Sequence, residues 1–252
     1  MNSAQLRERK PHIGTWLSSG SPVVTELAAD SGFDWLLLDL EHGCGSEAAL
    51  LPQLQAMRGS KAAAIVRVGA PHADLIARVL DWGADGIMVP HVSTVAEAEA
   101  CVRATHYPPR GQRGMARTVR ASGYGLRAPD TSQPPLLIAQ IETIEAVQNA
   151  RAIASVDGVD VLFVGPADLQ FDLGARPESA MRDYEACLRE VAAAAAAAGK
   201  PCGILIRNAA ELDKHRALGF THVAIDSDLA ILRAGYQHIL TAARSASRKS
   251  AP

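Results

Sequence analysis

The strongest constraint on how this chain can fold is a rhythm. Eight short apolar runs, at 12–17, 35–40, 63–68, 86–89, 136–141, 161–164, 202–206 and 222–225, recur along the sequence, with longer segments of mostly helical period between them. Each run is nearly continuous, as in WLLLDL or VLFV, without strict apolar–polar alternation. A strand can be apolar on both faces only if both are covered, as in a parallel sheet flanked by helices. Eight such units are the number that closes a (β/α)8 barrel, and barrels of about 250 residues commonly form one domain. For 252 residues the expectation is an α/β TIM barrel, a single domain over 1–252 with residues 1–10 as an N-terminal extension.

The clearest helical segments are 75–82, 95–105, 144–154, 184–198 and 209–218. The alanine run Ala192–Ala198 reads as the closely packed end of a helix, because alanine is the best helix former and Gly199 stands where a C-terminal cap belongs. One long irregular connection, 106–135, interrupts the rhythm. Its arginines, Arg110, Arg113, Arg117, Arg120 and Arg127, fit either an anion-binding lid or solvated charge and subunit contacts.

Several function classes are disfavoured. The formal net charge of -2 offers no basic field for nucleic acid or anionic lipid. The cysteines Cys44, Cys101, Cys187 and Cys202 are scattered with no C-x-x-C pair, which argues against zinc-ribbon and redox motifs and for free thiols. The first ten residues lack the roughly 7–15-residue apolar stretch of a secretory signal, and no window approaches the roughly 18 uncharged apolar residues of a membrane span. A cytoplasmic protein acting on small molecules, with no nucleic-acid or membrane partner, is the expectation.

In a parallel barrel the reactive groups collect where the strands end. The second run is followed by Glu41-His42-Gly43, the third carries Arg67 near its end, the fifth is followed by Glu142 and the sixth by Asp168. Singly, each acid could be the N-cap of the next helix, and His42 an ordinary loop residue. Arg67, between two valines, needs an anion if buried. Jointly, two carboxylates from neighbouring strands can converge on one hard cation and leave positions for water and substrate oxygens. A Schiff-base mechanism needs a lysine in the pocket, and Lys10, Lys61, Lys200, Lys214 and Lys249 all fall elsewhere. The turns after runs seven and eight, Arg207-Asn208 and Asp226-Ser227-Asp228, lack a phosphate-binding glycine pattern. They favour a carboxylate substrate, although Arg207 leaves a phosphorylated one open.

The stretches FDWLLLDLEHG (33–43), DGIMVPHV, YPPRGQRG, QIETIEAVQNA (140–150) and GVDVLFVGPADL (158–169) together resemble the HpcH/HpaI aldolase family, over nearly the whole chain. The resemblance implies a class II aldolase that joins a 2-oxo acid, pyruvate or hydroxypyruvate, to an aldehyde or cleaves the product. It implies Glu142 and Asp168 as ligands of a divalent metal (Mg2+, Mn2+, Co2+ or Zn2+), with no organic cofactor. Arg67 would hold the 2-oxo oxygen, and His42 with Asp39 would form an acid–base dyad. Gln140, Gly165, Pro166 and Ala167 would line the 2-oxo acid pocket and Trp16 would close it. A trimer or hexamer is implied, with a C-terminal helix around 231–243 packed on a neighbour. Two places depart from the family pattern, 169–174, where smaller polar residues are expected, and Asp226, where a glycine is usual; both leave the metal site alone and bear on the acceptor aldehyde and the donor's substituents. A CoA-ester lyase of the same superfamily and a non-catalytic 2-oxo acid sensor are the alternatives.

Overall fold

All eight apolar runs become strands: β1 (His12–Leu17), β2 (Trp35–Asp39), β3 (Ala63–Arg67), β4 (Gly86–Val89), β5 (Leu136–Ile141), β6 (Val161–Val164), β7 (Cys202–Ile206) and β8 (His222–Ser227). In the computed structural model, which describes residues 4–128, 131–176, 178 and 183–249, they pair in parallel in chain order. The eighth returns to the first, so the sheet is a closed barrel.

Side chains along a strand alternate between the barrel interior and the helical layer. Leu36, Leu38, Val66, Ile87, Leu137, Leu162 and Val223 face outward and build the large core shared with the helices. Trp35, Leu37, Ala63, Ile65, Met88, Leu136, Ile138, Val161, Phe163 and Ala224 form a second, inner cluster. Continuing these inward series one step toward the C-terminal ends reaches Asp39, Arg67, Gln140, Gly165 and Arg207. The parity that packs the interior therefore also aims a set of polar side chains into one mouth.

The opposite mouth is sealed. A 3-10 turn, Gln5–Arg7, inserts Leu6 into the inner cluster at 1% exposure. His222 Nε2 donates to the Leu6 carbonyl at 2.9 Å, and His12 Nε2 lies 3.2 Å from the Gln5 carbonyl. Arg7 bonds Asp160 at 2.9 Å and the carbonyls of Pro134 and Pro135. Residues 5–7 are thus part of the barrel's base and not an appendage, since an apolar barrel floor left open would face water.

The even strands enter through a repeated turn, Gly32-Phe33-Asp34, Gly83-Ala84-Asp85, Gly158-Val159-Asp160 and Gly219-Phe220-Thr221. The glycines hold φ of 93°, 91°, 102° and 102°, which side chains rarely adopt. Each aspartate clasps one residue of the preceding strand at two points. Asp34 donates its N–H to the Ile13 carbonyl and accepts the Ile13 N–H on its carboxylate, and Asp85 does the same to Ala64 and Asp160 to Leu137.

Helices flank the barrel, and three that the apolar rhythm left undefined appear at Pro22–Asp30, Glu47–Ala56 and Pro166–Ala175. The predicted 144–154 helix breaks at Asn149 into two short ones. In the 106–135 connection, Arg110 pairs with Asp157, Arg113 with Asp81, and Arg120 donates to the carbonyls of Trp82 and Leu54. Arg127 donates to the Ala121 carbonyl. Arg110, Arg113 and Arg120 fasten the loop to the outside of the barrel, and Arg127 ties the loop to itself, which favours a structural reading of these four over a lid. The last helix, Asp228–Lys249, exposes Leu229, Ile231, Leu232, Tyr236, Ile239 and Leu240. No helix among the described residues is long and apolar enough to cross a membrane.

Candidate active site

A cavity of about 410 Å³ opens at the C-terminal ends of the strands. Its walls include Trp16, Asp39, His42, Arg67, Gln140, Gly165, Pro166, Ala167 and Asp168, all expected from the sequence, together with Ser18, Phe163, Gln170, Leu205, Arg207 and Ser227. Glu142 lies against this wall, 1% exposed, with its carboxylate packed on Gly165. A Cβ at position 165 would stand 2.3 Å from Glu142 Oε2 and 2.9 Å from Gln140 Nε2. Only glycine leaves room for that carboxylate.

Arg67 and Asp39 are paired because β2 and β3 place them directly opposite one another. The contact is bidentate, Nε to Oδ1 at 2.9 Å and Nη2 to Oδ2 at 2.7 Å, and Nη1 lies 2.8 Å from Glu41 Oε2. The guanidinium sits 5.3 Å from the centre of the Trp16 ring, a cation–π arrangement. Its position is fixed by the two hydrogen bonds to Asp39, the charge of Glu41 and an aromatic face, with its other N–H groups making no hydrogen bond among the described residues.

The dyad expected between Asp39 and the His42 ring takes a different form. The chain turns sharply after β2, so Asp39 Oδ1 accepts the backbone N–H groups of Glu41 (3.0 Å) and His42 (3.3 Å). The His42 side chain projects outward, 66% exposed, with Nε2 3.7 Å from Glu41 Oε1. Asp39 shapes the turn that carries His42, and the carboxylate beside the ring is Glu41.

Sequence reasoning named no role for His91. At the end of β4 it adopts φ 55°, unusual for a residue with a side chain. Its backbone N–H donates to Glu142 Oε1 at 2.7 Å, Nδ1 lies 3.0 Å from the same oxygen, and Nε2 lies 3.6 Å from Glu41. The PH pair in DGIMVPHV was the available signal, an imidazole two residues past a strand end.

Burial, and then the negative charges of Asp168 and Glu41, push the Glu142 carboxyl up to about 7, against the opposing effect of His91. Asp39 and Glu41 pair with Arg67, while Glu142 and Asp168 repel one another beside them, an excess of negative charge that a cation would relieve. Gln140 Oε1 is buried without a hydrogen-bond partner, a further oxygen facing the same place. Among the described residues no group of three or more His, Cys, Asp or Glu is arranged as a metal cage. A hard cation here would take Glu142 and Asp168 and fill its other positions with water and substrate. Beside it the helix Pro166–Ala175 begins, and the Ala167 and Asp168 N–H groups of its first turn lie at the cavity wall, a ready carboxylate site.

At the far side of the mouth, Arg207 Nη1 donates to Asp226 Oδ1 at 3.2 Å, with side chains 66% and 24% exposed. Such a pair contributes about 0–1 kcal/mol. Asp226 is held at φ 54°, which costs of order 1 kcal/mol or more for a residue other than glycine. The pair gives the fold no net stability. Asp228 has a separate task, accepting the N–H groups of Ser18 (2.9 Å) and Ser19 (3.1 Å).

Residues 12–234 match the model of the family described as HpcH/HpaI aldolase/citrate lyase. The chain belongs to that family. A relative from Salmonella arizonae, 5-keto-4-deoxy-D-glucarate aldolase, is 39% identical over 238 residues, 93% of each chain. An HpcH/HpaI aldolase/citrate lyase family protein from Burkholderia cenocepacia superposes with a TM-score of 0.90 at 34% identity, covering 97% of this chain and 100% of that one. The HpcH/HpaI aldolase of Desulfitobacterium hafniense gives 0.84 at 25% identity, over 99% and 97%. As a member of the HpcH/HpaI aldolases, the protein is a carbon–carbon lyase acting on small molecules.

Proposed function

We propose that the protein is a divalent-metal-dependent class II aldolase that uses pyruvate or hydroxypyruvate as donor and an aldehyde as acceptor, reversibly. The observation that carries this reading is the convergence of Glu142, Asp168, Arg67 and the first turn of helix Pro166–Ala175 on one cavity. A cation held by the two carboxylates would supply positive charge to the 2-oxo acid, in which an enolate must develop.

The chain's own residues do the rest. The Ala167 and Asp168 N–H groups hold the donor carboxylate. Arg67, already fixed by Asp39 and Glu41, meets the negative charge that develops on the 2-oxo oxygen without having to reorganise. Trp16 and Phe163, 5.5 Å apart, form an apolar floor that keeps water from the nucleophilic carbon. His42, at the rim beside Glu41, moves the proton of the aldehyde-derived hydroxyl. Gln140 and Pro166 shape the donor end.

The apolar stripe on Asp228–Lys249 supports a homo-oligomer, trimer or hexamer, in which that helix is covered by a neighbour. The decisive experiment is incubation with pyruvate or hydroxypyruvate and a panel of aldehydes, with Mg2+, Mn2+, Co2+ or Zn2+ and with EDTA. Metal-dependent adducts are expected, and their absence for every pair and metal refutes the reading. His42→Ala is expected to slow turnover while leaving donor binding, which separates an enzyme from a sensor.

A further inference from the structure

We propose that His91 is a positioning residue that engages one oxygen of Glu142, so that a cation meets this carboxylate through the other oxygen alone and the site favours small octahedral cations such as Mn2+ over Ca2+. The inference rests on the reading of Glu142 and Asp168 as metal ligands and adds to it the residue that sets the choice of cation.

The two oxygens of Glu142 have different surroundings. Oε1 accepts the His91 backbone N–H at 2.7 Å and has Nδ1 of the same residue 3.0 Å away. Oε2 lies against Gly165, on the side where helix Pro166–Ala175 carries Asp168 in its first turn. The positive ends of the groups facing Oε1 oppose a cation that approaches both oxygens at once, so Oε2 is the one left to give. A site offering one oxygen from each of two carboxylates suits Mg2+ or Mn2+, which take about six ligands and leave positions for water and substrate. Ca2+ takes roughly six to eight oxygens at longer distances and gains when a carboxylate binds through both of its own.

The surrounding fold does not depend on the imidazole ring. Helix Val95–Thr105 is capped by Thr94 and Glu97. The chain before it is fastened by the Val92 N–H to the Gln140 carbonyl (3.2 Å), by the Ser93 and Thr143 hydroxyls, 3.0 Å apart, and by Asn149 Nδ2 to the Ser93 carbonyl (2.8 Å). With its neighbours tied down in this way, His91 sits at φ 55°, a left-handed conformation that is costly for a residue with a side chain, though less so for histidine and asparagine than for most. The ring is 59% exposed, so packing does not hold it. Its polar contacts among the described residues are carboxylates, Glu142 at Nδ1 and Glu41 Oε1, 3.6 Å from Nε2. Glu41 also stands beside Arg67 and the His42 ring. His91 thus braces a metal ligand against a carboxylate that already belongs to the site, and the strained backbone serves that contact and no other.

The test uses the full-length protein, freed of metal with EDTA and then dialysed, titrated by calorimetry with Mn2+ alone and with Ca2+ alone. Glycine adopts φ 55° freely, so His91→Gly removes the ring while the backbone N–H stays in place. It is expected to raise the Kd for Mn2+ about 10-fold, the scale of a lost outer partner of a metal ligand, and to leave that for Ca2+ within a factor of about three. His91→Asn tolerates left-handed backbone and carries an amide donor near the place of Nδ1, so it should hold Mn2+ within a factor of about three of wild type. Pulsed EPR of the bound Mn2+ should show no coupling to an imidazole nitrogen. With folding checked by circular dichroism, four results overturn the assignment: an unchanged Kd for Mn2+ in His91→Gly, equal losses for Mn2+ and Ca2+ as a merely structural role would give, no recovery in His91→Asn, or a nitrogen coupling that makes His91 a ligand itself. Glu142→Gln and Asp168→Asn separate the two levels. If both weaken Mn2+ binding and His91→Gly does not, only the His91 assignment fails. If wild type binds no Mn2+, or neither carboxylate variant weakens binding, the metal reading fails and the assignment with it.

Discussion

The two mouths of this barrel are made from the same eight strands and both bury ionisable groups, His12 and His222 at one and Asp39, Arg67, Glu142 and Asp228 at the other, yet they treat them in opposite ways. At the N-terminal mouth the buried histidines have partners. His222 is buried, its pKa lowered to about 3 by desolvation and by the neighbouring His12. Being neutral, it carries its proton on Nε2 to meet the Leu6 carbonyl, while Nδ1 faces the Thr221 hydroxyl at 3.0 Å. At the C-terminal mouth the burial is less well compensated: Glu142 is pushed up to about 7 by desolvation and by Asp168 and Glu41, and Gln140 Oε1 and Glu41 Oε2 are buried without a hydrogen-bond partner. Unsatisfied buried polarity is costly, so the mouth where it persists is the one awaiting ligands. Substitutions at the two mouths should therefore divide cleanly into losses of turnover and losses of stability.

The largest separation is expected from Glu142→Gln. Turnover should fall by about 10²–10³-fold or more, while the metal-free protein melts no lower than wild type, because a repelling carboxylate has been removed. Thermal midpoints in EDTA beside steady-state rates check both halves, and a large loss of metal-free stability would break the comparison. Gly165→Ala comes next. Its Cβ would displace the Glu142 carboxylate, and a displacement near 1 Å can cost about 10²-fold in rate. Metal titration by calorimetry should show weakened binding with the overall fold retained by circular dichroism.

At the other mouth the expectations invert. Leu6→Ala should cost about 2–5 kcal/mol of stability, as for other buried leucines, measured by urea unfolding, with kcat within a factor of about two. The smallest effect concerns pH. A histidine whose folded pKa is depressed leaves stability untouched well above its unfolded value of 6.5. Stability is lost as pH falls from there toward about 3, because only the unfolded chain takes the proton readily. His222→Gln keeps a donor for Leu6 but cannot titrate, so its thermal midpoint should fall less than wild type between pH 7.5 and 5. Equal falls would show that another group governs acid lability.

How much of this was legible in the sequence differs by level. The strands were, to within two residues at every end, because continuous apolar runs have one structural use in a chain of this length. Helix Pro22–Asp30 was not, since Val23 and Leu27 face solvent at 74% and 68% exposure and blur its period, and Glu47–Ala56 carries Pro52 within it. In the candidate site, residues reached by simple parity, Arg67, Gln140 and Gly165, fell where strand ends predicted. Features that depend on left-handed backbone did not. His91 turns back onto Glu142 only because its φ is positive, and Asp226 leaves its strand only because of a bulge, and neither is encoded in a periodicity. Asp39 meets the backbone of His42 for a related reason: spacing of three residues says that two groups are near, but the direction of the turn decides whether ring or backbone arrives.

The aspartate clasps at the base carry a consequence for how such a scaffold can change. Asp34, Asp85 and Asp160 each bind an even strand to the odd one before it, so the foundation is laid in three stapled couples, with a threonine at the fourth. Loops above one couple can be lengthened, shortened or recoded while the footing of the others is undisturbed. In a barrel built this way each quadrant of loops can be changed on its own.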